Sequence, residues 1–198
     1  MGKSTTASFL AKRGIPIADT DSIARELVAP GMPALVEIRR EFGDTLIDSR
    51  GNLDRKKLAQ IVFSDPGARA ALETILHPLI RVEWQHRVQK WKEAQLPVAA
   101  AVIPLLFETA AACYFDAIVC VACGKPTQYS RLAERGWNYE AMARRIAAQM
   151  PVDEKINRAD YVVWSDTTLA VHQGQVDEIV ANVAPLSKGR EFESSSQR

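Results

Sequence analysis

Apolar residues follow helical spacing through much of this chain and gather into short unbroken runs elsewhere, and the alternation of the two outlines its fold. From Ser4 to Arg13 the apolar positions Ala7, Phe9, Leu10 and Ala11 predict a short helix. Gly14 closes it, being suited to the left-handed position past a helix end. Ile15 to Ala18 reads as a brief strand, with Pro16 tolerated near its beginning. The strand ends in Asp19-Thr20-Asp21, and a helix is expected over residues 22–28. Pro30-Gly31-Met32-Pro33 is a turn cluster. Helical spacing returns at Leu35, Val36, Ile38 and Phe42 before Gly43, then at Leu58, Ile61, Val62 and Phe63 after the turn Arg50-Gly51-Asn52. It breaks at Asp65-Pro66-Gly67. A long helix is expected over residues 68–94, with Leu72, Ile75, Leu76, Leu79, Ile80 and Trp84 among its apolar positions. His77-Pro78 should kink or interrupt it, because proline lacks an N–H and its ring meets the preceding turn.

Residues 97–103 form a wholly apolar run bounded by prolines, the pattern of a buried parallel strand. Ala117 to Val121 repeats the pattern, and Tyr161 to Trp164 is a last strand. Thr168 to Val183 reads as a final amphipathic helix. Strands alternating with helices imply crossover units and a parallel sheet. The helical stretch 22–95 is too long for an ordinary crossover, so it is expected as an insertion. The expected division is a core of residues 1–21, 96–124 and 159–184, the insertion at 22–95, a polar helical segment at 125–158 and a disordered tail at 185–198.

Composition narrows the function. Lys and Arg total 25 and Asp and Glu 24, and no basic run exceeds three residues, which argues against a nucleic-acid-binding tail. The longest weakly polar run, Leu96 to Phe107, is too short to span a bilayer and holds two prolines. Lys3 is followed by polar residues rather than the apolar stretch of a secretory signal. Cys113, Cys120 and Cys123 are three in number, and the Cys120-x-x-Cys123 pair has no second pair with which to bind zinc. Buried free thiols in a cytoplasmic protein are expected.

Two stretches carry candidate chemistry. Gly2-Lys3-Ser4-Thr5 at the mouth of a helix matches the back half of a phosphate-binding loop. In such a loop backbone N–H groups cradle phosphates, the lysine reaches the β and γ oxygens and the hydroxyl holds Mg²⁺. An ordinary helix start is the other reading. Asp19 and Asp21 lie at the carboxyl end of a strand, where open α/β sheets bind ligands. Asp21 is equally suited to cap the next helix. Residues 125–158 carry Arg131, Arg135, Arg144, Arg145, Lys155 and Arg158. They read either as a solvated face or as a basic flap over an anion.

In order along the chain stand G-K-S-T at 2–5, D-T-D-x-I-A-R at 19–25, V-x-P-G at 28–31 and L-H-P-L-I at 76–80. P-L-L-F-E at 104–108, R-I-A-A-Q-M-P at 145–151 and R-A-D-Y-V at 158–162 follow. With these motifs the chain resembles the dephospho-CoA kinases over roughly residues 1–184. The resemblance implies a P-loop NTPase-type parallel sheet with flanking helices, a helical substrate-binding insertion and a helical lid. It implies transfer of the γ-phosphoryl group of ATP, with Mg²⁺, to the 3′-hydroxyl of dephospho-CoA. On the same basis Gly2, Lys3, Ser4, Thr5, Arg131 and Arg145 would bind ATP, and Lys3 and Arg131 would also be catalytic. Ser4 would ligate Mg²⁺, and Asp19 would act through its water shell. Asp21 would take the proton of the acceptor hydroxyl, with Arg25, His77 and Glu108 on motifs of the acceptor pocket. His77 before Pro78 reads equally well as a helix-break residue.

Two departures stand out. The resemblance implies a strand and a G-G-I-G-x-G segment before Lys3, of which only Gly2 is present. The natural protein is therefore expected to start about a dozen residues upstream, with Met1 internal. Ser165 stands where the family often carries Asn, which bears on adenine contacts. The rival readings are another small-molecule P-loop kinase, such as shikimate kinase, and a non-catalytic remnant that binds such ligands without turnover. Shikimate kinases share the D-x-D but lack the long insertion with L-H-P-L-I.

Overall fold

The computed structural model describes residues 2–134, 136–147 and 149–184, the side chains of Ala141 and Arg145 excepted. The expected tail at 185–198 lies outside these residues. Helix α1 (Lys3–Lys12) and strand β1 (Ile17–Asp19) are followed by α2 (Thr20–Leu27), α3 (Pro33–Phe42), α4 (Arg55–Ser64) and α5 (Pro66–Glu93). Next come β2 (Ala100–Val102), β3 (Val119–Ala122), α6 (Lys125–Ala133), α7 (Tyr139–Ala147), α8 (Val152–Asn157), β4 (Tyr161–Trp164) and α9 (Leu169–Val183). The chain divides into two compact units. One combines residues up to Ile17 with those from Pro97 onward; the other is Ala18–Leu96.

The Ala18–Leu96 unit is helical apart from an antiparallel bridge between Ile47 and Leu53. Its core is Val28, Ile38, Leu46 and Leu58, sealed by Phe42, Ile61, Leu72, Ile75 and Leu76. Each helix start has a reason in the sequence. Asp54 accepts the N–H groups of Lys56 and Lys57, and Asp65 that of Gly67 at 2.7 Å. Such caps each contribute about 0.5–2 kcal/mol. Pro66 occupies the first position of α5, where its fixed φ suits the helix and its missing N–H is no loss. The long helix therefore begins two residues before the expected start. It also runs without interruption through Pro78. One lost hydrogen bond in so long a helix is outweighed by the apolar contacts of Leu72, Ile75 and Leu76 with the core.

Helix α2 differs from expectation at its beginning. Asp19 is extended (φ −97°, ψ 114°) and its Oδ1 accepts the Asp21 N–H at 3.0 Å, so the helix starts at Thr20. Asp19 is thus the cap, and Asp21 sits in the first turn.

In the other unit, β3 and β4 pair in parallel, Val119 opposite Tyr161 through Ala122 opposite Trp164. Parallel neighbours need a crossover, which α6, α7 and α8 supply. Carboxylates clamp both ends of the pair. Asp160 accepts the Ile118 N–H at 2.7 Å and Asp166 the Gly124 N–H at 2.5 Å. Helices α1 and α9 cover one face through Phe9, Val163 and Val176, with Leu10, Val121, Ile179 and Val180 around them. Arg13 of α1 pairs with Asp177 of α9 at 2.6 Å. On the outer margin of β4, the Gln175 side chain accepts the Trp164 N–H at 2.8 Å and donates to the Trp164 carbonyl at 3.1 Å. Two expected strands are shorter and less buried than their apolar runs suggest. Pro97 and Pro104 cannot donate to a ladder, which trims β2. Among the described residues β3 has β4 on one side only, and Val119 is 38% exposed. No helix among the described residues is long and apolar enough to cross a membrane.

Candidate functional site

The start of α1 is set by Gly2, which lies in the left-handed region at φ +79°. Only glycine fits there: a Cβ would stand 2.7 Å from Ser165 Cβ and 3.2 Å from His172 Cε1. Lys3, Ser4 and Thr5 form the first helical turn, whose N–H groups have no partner within the helix. Behind them Thr6 is buried, and its Oγ1 lies 2.9 Å from His172 Nε2. Arg131, from the last turn of α6, reaches the same place. It donates to Ser165 Oγ at 2.9 Å and to the Ser165 carbonyl at 2.7 Å. Arg131 and the Gly2-Lys3 turn therefore meet around Ser165, which is 2% exposed. The hydroxyl at this position is engaged with an arginine.

Burial pushes the His172 imidazole below its usual pKa, and the nearby Arg131 charge pushes the same way. The unfolded chain thus takes up the proton first. His172 contributes stability that is full above about pH 6.5 and is lost as pH falls through the lower folded value. Between about pH 7.5 and pH 5.5, the melting temperature should fall more for the unsubstituted protein than for His172→Gln, which cannot protonate. Parallel curves in thermal denaturation would remove His172 from the pH response.

Glu108 sits on the loop after β2 and is ion-paired rather than open. It accepts Lys155 Nζ at 2.8 Å and the Met150 N–H at 2.9 Å, while Lys155 also donates to the Pro104 carbonyl at 3.1 Å. Burial would raise the Glu108 carboxyl, but these hydrogen bonds outweigh it and hold the group below the usual carboxylate range. The Arg158 guanidinium lies 4.4 Å from the centre of the Phe107 ring, a cation–π contact. The P-L-L-F-E loop is thus clasped by residues just before and along α8. With the Lys155 and Glu108 side chains 12% and 22% exposed, Lys155→Met leaves a carboxylate poorly solvated. It should cost about 1–3 kcal/mol in denaturant unfolding. A variant as stable as the parent would reduce the pair to surface decoration.

Lys3, Ile103, Pro104, Phe107, Cys120 and Lys155 all line a cavity of about 70 Å³. Burial raises the Cys120 thiol, and the Lys155 and Lys3 charges partly offset this. Cys123 is buried and Cys113 exposed, and no cluster of metal-binding side chains occurs among the described residues. A larger groove of about 260 Å³, along Tyr161, Gln175, Glu178 and Asn182, contains none of the predicted residues.

In the helical unit Asp21 is exposed in the first turn of α2, with Arg25 one turn further on the same helix. The Arg25 carbonyl accepts Arg55 Nη2 at 3.4 Å. His77 is exposed on α5. Arg145 lies in α7, its side chain outside the described set. Thr6, Lys155 and His172 were not singled out from the sequence. The signals existed: Thr6 precedes Phe9 and Leu10 by three and four residues, and His172 precedes Val176 by four, so each shares an apolar stripe.

A family model described as dephospho-CoA kinase matches residues 1–170. The chain belongs to the dephospho-CoA kinase family. The dephospho-CoA kinase of Anaeromyxobacter dehalogenans is 41% identical over 183 residues, 92% of this chain and 87% of that protein. That of Leifsonia xyli is 43% identical over 185 residues, 92% and 93% of the two chains. A solved structure from Thermus thermophilus superposes with a TM-score of 0.72 at 31% identity, covering 91% of each chain. The dephospho-CoA kinase of Campylobacter jejuni shares the fold, with a TM-score of 0.69 at 24% identity over 93% and 92%. The fold is accordingly the P-loop kinase form of the parallel α/β class. The dephospho-CoA kinase match includes every predicted site residue from Gly2 to Arg145, as well as Ser165, and ends before His172.

Proposed function

We propose that this chain transfers the γ-phosphoryl group of ATP to the 3′-hydroxyl of dephospho-CoA, giving CoA and ADP, the final step of coenzyme A biosynthesis. The observation that carries this reading is the family match over residues 1–170, which takes in the Gly2-Lys3-Ser4 turn at the mouth of α1. Phosphoryl transfer asks the protein for positioning and charge neutralisation more than for covalent chemistry. The open N–H groups of the first turn of α1 would cradle phosphate oxygens, and Lys3 would neutralise charge on the β and γ groups. Arg131 and Arg145 would stabilise charge on the group in flight. Asp21 would accept the proton of the attacking hydroxyl late in the transfer, when its acidity rises. Arg25, His77 and Glu108 are assigned to the acceptor, residues 22–95 to an acceptor-binding insertion and 125–158 to a lid. Closure of the lid would exclude water that otherwise hydrolyses ATP.

Mg²⁺ keeps several waters and binds one or two protein oxygens together with substrate phosphates. The exposed Ser4 hydroxyl and the Asp19 carboxylate are donors of that kind. The Asp19 Oδ1 that caps α2 is already committed to an N–H. When bound, the ion would offset charge on the phosphates. The proposed location is the cytoplasm, where both substrates are at hand.

Coupling ADP release to added dephospho-CoA tests the reading. Release that requires dephospho-CoA is expected, with the product phosphorylated at the ribose. Release driven by shikimate but not by dephospho-CoA would overturn it.

A further inference from the structure

Nothing in the proposed chemistry explains why a buried imidazole stands behind the first turn of α1. His172 is 3% exposed and packs edge-on against Phe9, with ring centres 5.4 Å apart and planes at 84°. Its Nε2 meets Thr6 Oγ1 at 2.9 Å. The Thr6 hydroxyl donates to the Gly2 carbonyl at 3.3 Å, and the Thr6 N–H donates to the same oxygen at 2.9 Å. A hydroxyl has one proton to give. With that proton on Gly2, the network assigns the imidazole N–H to Nε2, donating to Thr6.

The peptide unit joining Gly2 to Lys3 is planar, so its carbonyl and the Lys3 N–H point in opposite directions. Two hydrogen bonds on the carbonyl therefore also fix the aim of that N–H. It belongs to the turn whose donors have no intrahelical partner. On its other side Gly2 abuts Ser165, whose hydroxyl and carbonyl seat the Arg131 guanidinium at 2.9 and 2.7 Å. One buried cluster thus stands behind both a backbone donor and a cation.

We infer that His172 is a positioning residue for nucleotide binding, orienting the Gly2-Lys3 peptide through Thr6 and backing the Ser165 seat of Arg131. It touches no reacting atom. The inference rests on the kinase reading only for the class of ligand, a nucleoside triphosphate. A purely structural histidine would lower stability and leave nucleotide affinity alone.

Titration of MgATP into the full chain separates these cases, with His172→Ala, His172→Gln, Thr6→Val and the Thr6→Val/His172→Ala double variant. His172→Ala and Thr6→Val should each weaken MgATP about tenfold, and the double variant no further, because the residues act as one unit. Gln carries an amide nitrogen near the place of Nε2, so His172→Gln should restore affinity to within about threefold. The KM for dephospho-CoA should not move. If His172→Ala does not fold, Thr6→Val and His172→Gln carry the test. Weakening by Thr6→Val with rescue in His172→Gln supports the inference, and unchanged affinity in Thr6→Val overturns it. A lowered melting temperature with unaltered MgATP affinity overturns it as well, as does failure of the unsubstituted protein to bind MgATP. Tight MgATP binding without turnover of dephospho-CoA would sink the acceptor assignment alone.

Discussion

Asp21→Asn should lower kcat by about 10²–10⁴ while leaving MgATP affinity nearly unchanged. The amide keeps the shape of the carboxylate and loses its capacity to take a proton. The substitution is clean because Asp19, not Asp21, holds the cap of α2. Asp21 is also exposed, so its replacement leaves no buried group stranded. The stability cost should stay within about 1 kcal/mol, the part that a carboxylate near a helix N-terminus can contribute. Steady-state turnover, MgATP titration and thermal denaturation together check this. Full turnover in Asp21→Asn would remove the residue from the mechanism. A loss of MgATP binding would move it from the acceptor side of the reaction to the nucleotide.

Lys3→Met should cost about 10²–10³ in kcat, the loss typical when one preorganised donor to a developing anion is removed. Methionine keeps the length and apolar stem of the side chain but carries no charge. A separate readout exists because the Lys3 charge lowers the Cys120 pKa against the effect of burial. Its removal should push that thiol up further and slow its alkylation at neutral pH. Slower alkylation with normal turnover would mean that Lys3 stands near Cys120 but does not serve the phosphate. Neither change would show that the substitution had failed to alter the charge of the cavity.

Much of the fold is legible in the sequence because its signals are local. Gly14, Pro66, Asp65 and Thr168 mark helix ends by backbone chemistry that needs no distant partner. The short strand Tyr161–Trp164 was readable for a similar reason, being a compact β-branched and aromatic run between polar residues. What the sequence could not supply were partners far apart along the chain. Whether Asp19 or Asp21 caps α2 depends on one residue's backbone angles, and both are acceptable caps. The Glu108 carboxylate looked open until Lys155, more than forty residues later, was found on it. Thr6 and His172 stand 166 residues apart, and each alone resembles a polar residue at the border of an apolar stripe. The Gly2-Lys3-Ser4 turn itself was plain from its residues, whereas the cluster that steadies it was not.

Gln175 has a consequence for the protein among its copies. A strand at a sheet margin normally displays alternating donors and acceptors to any extended chain that drifts past. At Trp164, the most outward residue of β4, both groups are already satisfied by one amide side chain. That amide plays the part of an absent neighbour and gives crowded chains one less place to begin stacking together.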